Sequence, residues 1–325
     1  MIKSLEIENF KSIKYLKLDC KRINLFIGEP NTGKSNILEA IGLLSHVPHY
    51  GPLRGIRRFV RFENMRDLFY DRALENKVNI SFDGNALETT FKDGLFYGNY
   101  FKGKEPSVQL FNYNYEGSGG VSLLHPDLVQ FKFYRFAVME NFPNQQSDFL
   151  RPPNGDNLLA VILTRKDLRA LTKQIFDRFG LALVFEPQEG RIRVQKQLED
   201  IIIAFPYSLA SETLQRLFFF LTAIHSNKNS ILAFEEPEAH AFPHYTKYLA
   251  EVIALDKNEN QYFISTHNPY FLLSVLEKTP KNEIAIFNTH LENYQTKVKA
   301  LTEDEMKEVL EKGIDLFFDI ERFLG

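Results

Sequence analysis

Gly28-Glu29-Pro30-Asn31-Thr32-Gly33-Lys34-Ser35 matches G-x-x-x-x-G-K-[ST] at every fixed position. From average residue frequencies, a chance match in 325 residues is on the order of one in a hundred. The flanks supply the context this pattern needs. Ile23-Asn24-Leu25-Phe26-Ile27 is a short, nearly continuous apolar run, the mark of a strand buried on both faces. After the loop, Ile37, Ala40, Ile41 and Leu44 recur at helical spacing. A strand, a Gly-rich loop and a helix N-terminus present fixed partial positive charge to phosphate oxygens, and the glycines let the backbone approach the anion. Lys34 is placed to reach the β- and γ-phosphates, and the Ser35 hydroxyl to ligate Mg²⁺. Gly28 through Ser35, with Asn36 behind them, are therefore candidate contacts to a nucleoside triphosphate.

Two later strand ends carry the remaining chemistry. Ile231-Leu232-Ala233-Phe234 delivers Glu235-Glu236-Pro237-Glu238, and the C-terminal ends of parallel strands are where ligands sit in such sheets. Neighbouring strand residues point to opposite faces, so the two carboxylates divide the work. Glu235 is the candidate for Mg²⁺ or its water shell, and Glu236 for accepting a proton from, or orienting, the attacking water. Tyr262-Phe263-Ile264 then runs into Ser265-Thr266-His267-Asn268-Pro269. A histidine there can hydrogen-bond a γ-phosphate and sense its loss.

Outside these motifs the chain opens with two alternating strands, 2–10 and 13–18, as an antiparallel arm. Residues 77–137 read as short β runs broken by Asp-Gly, Gly-Asn and Gly-Ser-Gly-Gly turns, and 141–153 as a loop with three prolines. The pattern predicts one helix over 158–179, ended by Gly180, and a hairpin over 181–194 turning at Glu189-Gly190. It predicts helices over 214–224 and 244–255, a further strand over 283–287, and a Thr302/Glu305 capping box opening a last helix that Gly313 stops. The fold expected is an α/β P-loop NTPase in three segments: 1–76 with the Walker loop, 77–200 as β-rich insert and helical lid, and 201–325 with the acidic and histidine strand ends. At 44% hydrophobic residues the chain can bury a large core, which excludes intrinsic disorder as its main state. The net charge of −3 excludes a general polyanion binder but leaves room for a local basic strip. One cysteine, Cys20, excludes a disulfide framework. Early charges without an apolar stretch and the lack of a run of about 20 apolar residues point to a soluble, cytoplasmic protein with no membrane partner.

With these motifs in their order, the chain resembles the ABC-type ATPases, in the SMC/RecF/OLD-like branch of standalone AAA ATPases. The resemblance is carried by Ile7-Glu8-Asn9-Phe10-Lys11-Ser12, the Walker A loop, Leu150-Arg151-Pro152-Pro153-Asn154-Gly155-Asp156-Asn157-Leu158, Glu235-Glu236-Pro237-Glu238-Ala239-His240 and Ser265-Thr266-His267-Asn268-Pro269. It implies a head with an antiparallel β arm and helical lid, Lys11 and Ser12 beside the nucleotide, and Glu236, His267 and Lys34 as the catalytic set. It further implies two ATP molecules sandwiched in a head-to-head homodimer, each closed by the partner copy's signature motif. That motif falls in Pro206-Tyr207-Ser208-Leu209-Ala210-Ser211-Glu212-Thr213-Leu214-Gln215 and contains no glycine; of its two serines Ser211, with Glu212, is favoured over Ser208. No glutamine between 36 and 73 stands for the family's Q-loop, leaving Asn64 and Asp67 as substitutes. The lack of heptads argues against an SMC rod, and the short stretch after His267 against a fused TOPRIM nuclease.

These readings lead to a Mg²⁺-dependent ATPase switch in DNA repair or antiphage defence, with DNA or a co-encoded effector protein as partner. A nucleotide-gated scaffold with little hydrolysis is the alternative. A GTPase is disfavoured because the lysine of Thr164-Arg165-Lys166-Asp167 is one place late for the guanine-reading motif. Arg54, Arg57, Arg58 and Arg61 form the candidate DNA strip, against the alternative of a solvated face or a brace between segments.

Overall fold

In the computed structural model, which describes residues 1–49, 55–312 and 317, the arm forms as its alternation dictates. Strands β1 (Ser4–Phe10) and β2 (Ile13–Asp19) pair antiparallel, with Leu5, Ile7, Leu16 and Leu18 turned into the core. Strand β3 (Ile23–Ile27) has all five residues buried and feeds the loop into α1 (Lys34–His49). Then come β4 (Val78–Phe82), β5 (Asn85–Lys92), β6 (Leu95–Lys102), β7 (Val108–Tyr113), β8 (Gly119–Val121) and β9 (Phe131–Tyr134). Helices α2 (Leu158–Thr164) and α3 (Lys166–Asp177) precede β10 (Ala182–Glu186), β11 (Arg191–Leu198) and β12 (Ile201–Pro206). The last third alternates α4 (Glu212–Ser226), β13 (Ile231–Glu235), α5 (Pro243–Ala254), β14 (Gln261–Ser265) and α6 (Pro269–Lys278). It closes with β15 (Ile284–Glu292), β16 (Gln295–Ala300) and α7 (Glu303–Lys312).

The central sheet runs β16-β15-β3-β14-β13-β9, parallel except for β16. Its two faces bury different partners. Leu25, Phe234, Tyr262 and Ile264 face the helical layer of α2 to α7, whereas Phe26, Phe133, Ala233 and Phe263 face α1 and a second sheet. That second sheet is antiparallel in the order β2-β1-β4-β5-β6-β7-β8. The β runs of 77–121 thus continue the N-terminal arm, with Leu5 opposite Phe82, and β9 belongs to the central sheet. Residues 77–200 are accordingly distributed over three sheets, because strand pairing rather than chain order decides which edges are satisfied.

Several elements differ from the sequence reading. The single helix expected over 158–179 is two, broken at Arg165, whose backbone is extended at φ −110°, ψ 107°. The hairpin of β10 and β11 gains β12, whose Ile201, Ile202 and Ile203 stay exposed. Helix α6 and strand β16 form where no element was expected; Asn268 caps α6 by accepting from the backbone N–H groups of Tyr270 and Phe271. The capping box of α7 forms, Thr302 Oγ1 accepting from the Glu305 N–H at 3.2 Å. Gly313 lies outside the described residues.

Candidate functional site

The loop after β3 is held open by its glycines. Gly28 (φ +140°) and Gly33 (φ +99°) occupy left-handed backbone, and an added Cβ would come within 2.1 Å of the Thr289 carbonyl and 1.9 Å of Thr296 Oγ1, respectively. The β15–β16 pair is therefore the floor of the loop. Thr296 Oγ1 lies 3.0 Å from the Thr32 carbonyl and 2.6 Å from Ser12 Oγ, and Asn36 Nδ2 donates to the same serine at 2.6 Å. Lys34 folds back over the loop, donating to the carbonyls of Gly28 at 2.8 Å and Glu29 at 2.6 Å. Burial pushes its ammonium down to about 8, with Glu236 and Glu29 opposing.

A cleft of about 500 Å³ opens over this loop, within the range of small-ligand sites. Ser12, Lys34, Ser35, Glu236, His267 and Tyr294 are among its walls. Glu236 and His267 converge as their strand ends suggested, with His267 Nε2 3.4 Å from Glu236 Oε1. Glu236 stands at φ +43°, and its N–H donates to the Ser265 carbonyl at 3.1 Å, so β14 holds the strained turn. Burial, then the charge of Lys34, lower the basicity of His267, while Glu236 opposes them. The shift favours the neutral imidazole.

Glu235 points the other way, as adjacent strand residues must. Ser35 is near enough to help lower its carboxyl, which brings the two candidate Mg²⁺ ligands together. Its remaining valence is taken by Arg135 Nε at 2.8 Å and Arg61 Nη2 at 3.0 Å. Burial raises its carboxyl, but Arg135, Ser35 and Arg61 outweigh that and leave it below the ordinary range. The same two arginines also clasp Glu39 of α1, which is fully buried and accepts from Lys11 as well. Glu39 and Arg135 were missed by sequence reasoning, although Glu39 lies one helical turn from Ser35, a spacing that could have flagged it.

The remaining candidates are placed as follows. Lys11 turns to Glu39 and does not line the cleft, whereas Ser12 does. Gly28 and Glu29 are not among the residues lining the cleft, and their carbonyls accept from Lys34. Asn64 and Asp67 close a local capping box, and Asp67 pairs with Arg72 at 2.9 Å. Arg57, Arg58 and Arg61 are all exposed. Arg57 donates to the Glu116, Phe62 and Glu63 carbonyls and stacks on Phe62, Arg61 is drawn to Glu39 and Glu235, and Arg54 lies outside the described residues. Charge-assisted pairing with two carboxylates anchors one end of the Arg61 guanidinium while the rest stays in solvent. Ser211 is exposed at the N-terminus of α4 without capping it, Glu212 pairs with Arg216 at 2.8 Å, and neither lines the cleft.

The geometry fits a Mg²⁺–nucleotide complex: a cradle that a Cβ would fill, a lysine over it, and a Ser–Glu pair of oxygen donors beside it. Residues 1–137 match the family described as AAA ATPase domain, and residues 167–274 the AAA domain, putative AbiEii toxin, Type IV TA system family. The chain is 30% identical over 161 residues to uncharacterized protein MJECL10 of Methanocaldococcus jannaschii, covering 46% of this chain and 69% of that protein. It is 33% identical over 105 residues to the DNA replication and repair protein RecF of Caldanaerobacter subterraneus subsp. tengcongensis, covering 27% of this chain and 29% of RecF. Among solved structures, an Smc head bound to the C-winged helix domain of ScpA superposes with a TM-score of 0.56 at 15% identity, over 94% of this chain and 99% of that one. An Smc head with an extended coiled coil, bound to the C-terminal domain of ScpA derived from Pyrococcus furiosus, gives 0.52 at 13% identity, over 96% and 98%. Among the described residues no helix is long and apolar enough to cross a membrane. Motif order, cleft geometry and these relatives agree: the chain belongs to the ABC-type ATPases of the SMC/RecF branch.

Proposed function

We propose that this protein is a Mg²⁺-dependent ATP hydrolase that closes into a head-to-head homodimer around two ATP molecules and acts as a switch in DNA repair or antiphage defence. The observation that carries the proposal is the convergence, on one cleft, of Lys34, Ser35, Glu236 and His267, with Glu235 beside Ser35. Mg²⁺, when bound, neutralises charge developing on the phosphate oxygens. Lys34 would exchange its loop carbonyls for phosphate oxygens. Ser35 and Glu235 would hold the metal, Glu236 would orient a water and take its proton, and neutral His267 would donate to the γ-phosphate.

Dimerisation is supported by Ser211, exposed at an uncapped helix start and away from the cleft of its own chain. The choice of pathway leans on the relatives, RecF in replication and repair and the AbiEii description of the second family. DNA or an effector protein is the partner proposed. A second reading, a nucleotide-gated scaffold with little turnover, is favoured by the absence of glycine in 206–215. ATP turnover and sedimentation of the full chain test both. We expect slow turnover in the wild type, and in Glu236→Gln a dimer that persists with Mg²⁺–ATP. Full activity of Glu236→Gln rejects the catalytic assignment, and dimerisation without turnover selects the scaffold.

A further inference from the structure

The hairpin joining β15 to β16 turns through only two residues, since Glu292 pairs with Gln295. Both turn residues are left-handed, Asn293 at φ +49° and Tyr294 at φ +62°. Such turns favour asparagine followed by glycine, and a bulky side chain at the second position is a genuine outlier. Here that position carries a tyrosine. Its ring packs on little, for Tyr294 is 93% exposed. Folding alone would favour glycine at this point, so the tyrosine needs another explanation.

Its location supplies one. Tyr294 and Leu291, itself 43% exposed, line the same cleft as the Walker loop. The sheet order fixes which end of the cleft they occupy. Strand β3, which delivers the loop, lies between β14 on one side and β15 on the other. Glu236 and His267 come from the β13 and β14 side, where the terminal phosphate belongs. The β15–β16 tip stands on the opposite side, two residues beyond Thr296, whose hydroxyl touches Ser12 and Thr32. A triphosphate laid across the loop with its γ-phosphate at Glu236 therefore directs its nucleoside toward Leu291 and Tyr294.

We propose that Tyr294, backed by Leu291, is the platform on which the purine base of the nucleotide stacks, and that the strained turn exists to hold the ring over the cleft. The inference rests on the nucleotide reading of the cleft. Base–aromatic stacking changes affinity by roughly 5- to 150-fold when the aromatic is removed. It acts on binding and leaves the γ-phosphate chemistry untouched, so KM should move and kcat should not.

The test uses the full chain with Tyr294→Phe, Tyr294→Ala and Tyr294→Gly. Titration with ATP, and competition by inorganic tripolyphosphate, which has no base, separate base recognition from phosphate recognition. Tyr294→Phe should bind ATP as the wild type does. Tyr294→Gly should lose on the order of tenfold in ATP affinity, keep its tripolyphosphate affinity, and melt no lower than the wild type because the left-handed strain is relieved. A merely structural tyrosine would move melting temperature and both ligands together, which overturns the proposal. Unchanged ATP affinity in Tyr294→Gly and Tyr294→Ala overturns it too, while leaving the nucleotide site standing. Failure of the wild type to bind either ligand removes the nucleotide reading itself.

Discussion

Lys34 is a lysine whose charge is marginal near physiological pH. Burial disfavours its ammonium and brings its titration down to about 8. Triphosphate binding draws on the charged form, so ATP affinity should be level below that pH. It should weaken, by at most about tenfold per unit, as pH rises beyond about 8. Calorimetric titration across this window checks the trend, and Lys34→Arg, which does not titrate there, should abolish it. Glu238 offers a second test. It is buried two residues past Glu236, accepts from the Thr266 hydroxyl, and burial raises its carboxyl to about 7. The unfolded chain then holds fewer protons than the folded one between about pH 4.5 and 7, so this residue costs stability as pH rises through that range. The slope is at most about 1.4 kcal/mol per unit. Chemical denaturation at both ends of the range should find a shallower decline in Glu238→Gln, and an unchanged slope would contradict a buried, proton-holding carboxyl.

At the scale of elements, the site depends on where strands stop. Strand β13 carries Phe234 one residue before Glu235, and its ring meets Tyr134, Phe220 and Tyr262 edge-on at 5.1 to 5.9 Å. Phe234→Ala should destabilise the fold by about 3–5 kcal/mol, the usual cost of a large aromatic truncation in a core. Because it also frees the strand end, turnover should fall by more than the folded fraction, as measured by activity against circular dichroism. The elements that sequence reading missed have two causes. Strand β12 is an apolar run with neither face buried and β16 alternates lysine with small residues, so both are stabilised by pairing with neighbours rather than by local propensity. Helix α6 carries a local start signal, Asn268 as cap and Pro269 at the first helical position, which the short gap after β14 obscured, and packing of Phe271, Leu272, Val275 and Leu276 secures it.

For the whole molecule, the two faces of the central sheet divide the labour. One face seats α1 and the antiparallel sheet, and the other seats the helical layer that carries Ser211. If that serine serves a partner copy, Ser211→Arg should leave monomer ATP binding intact and abolish ATP-dependent dimerisation. Sedimentation of the double variant Ser211→Arg with Glu236→Gln reads the result directly. A dimer that survives the added guanidinium would place the trans contact elsewhere.

What the sequence by itself determined was local. The Walker loop, its strand and helix, the ends of β13 and β14, and the α7 cap were legible because each depends on short-range pattern: glycine at left-handed positions, apolar runs, a capping pair three residues apart. Tertiary structure alone decided which distant groups meet. Arg61 reads as a member of a surface cluster, yet it closes on Glu39 and Glu235, with Arg135 brought in from β9. Tyr294 reads as a turn residue and arrives at the mouth of the cleft. Ion-pair partners 22 to 174 positions apart are chosen by the packing that buries the carboxylates, and no periodicity along the chain records that choice.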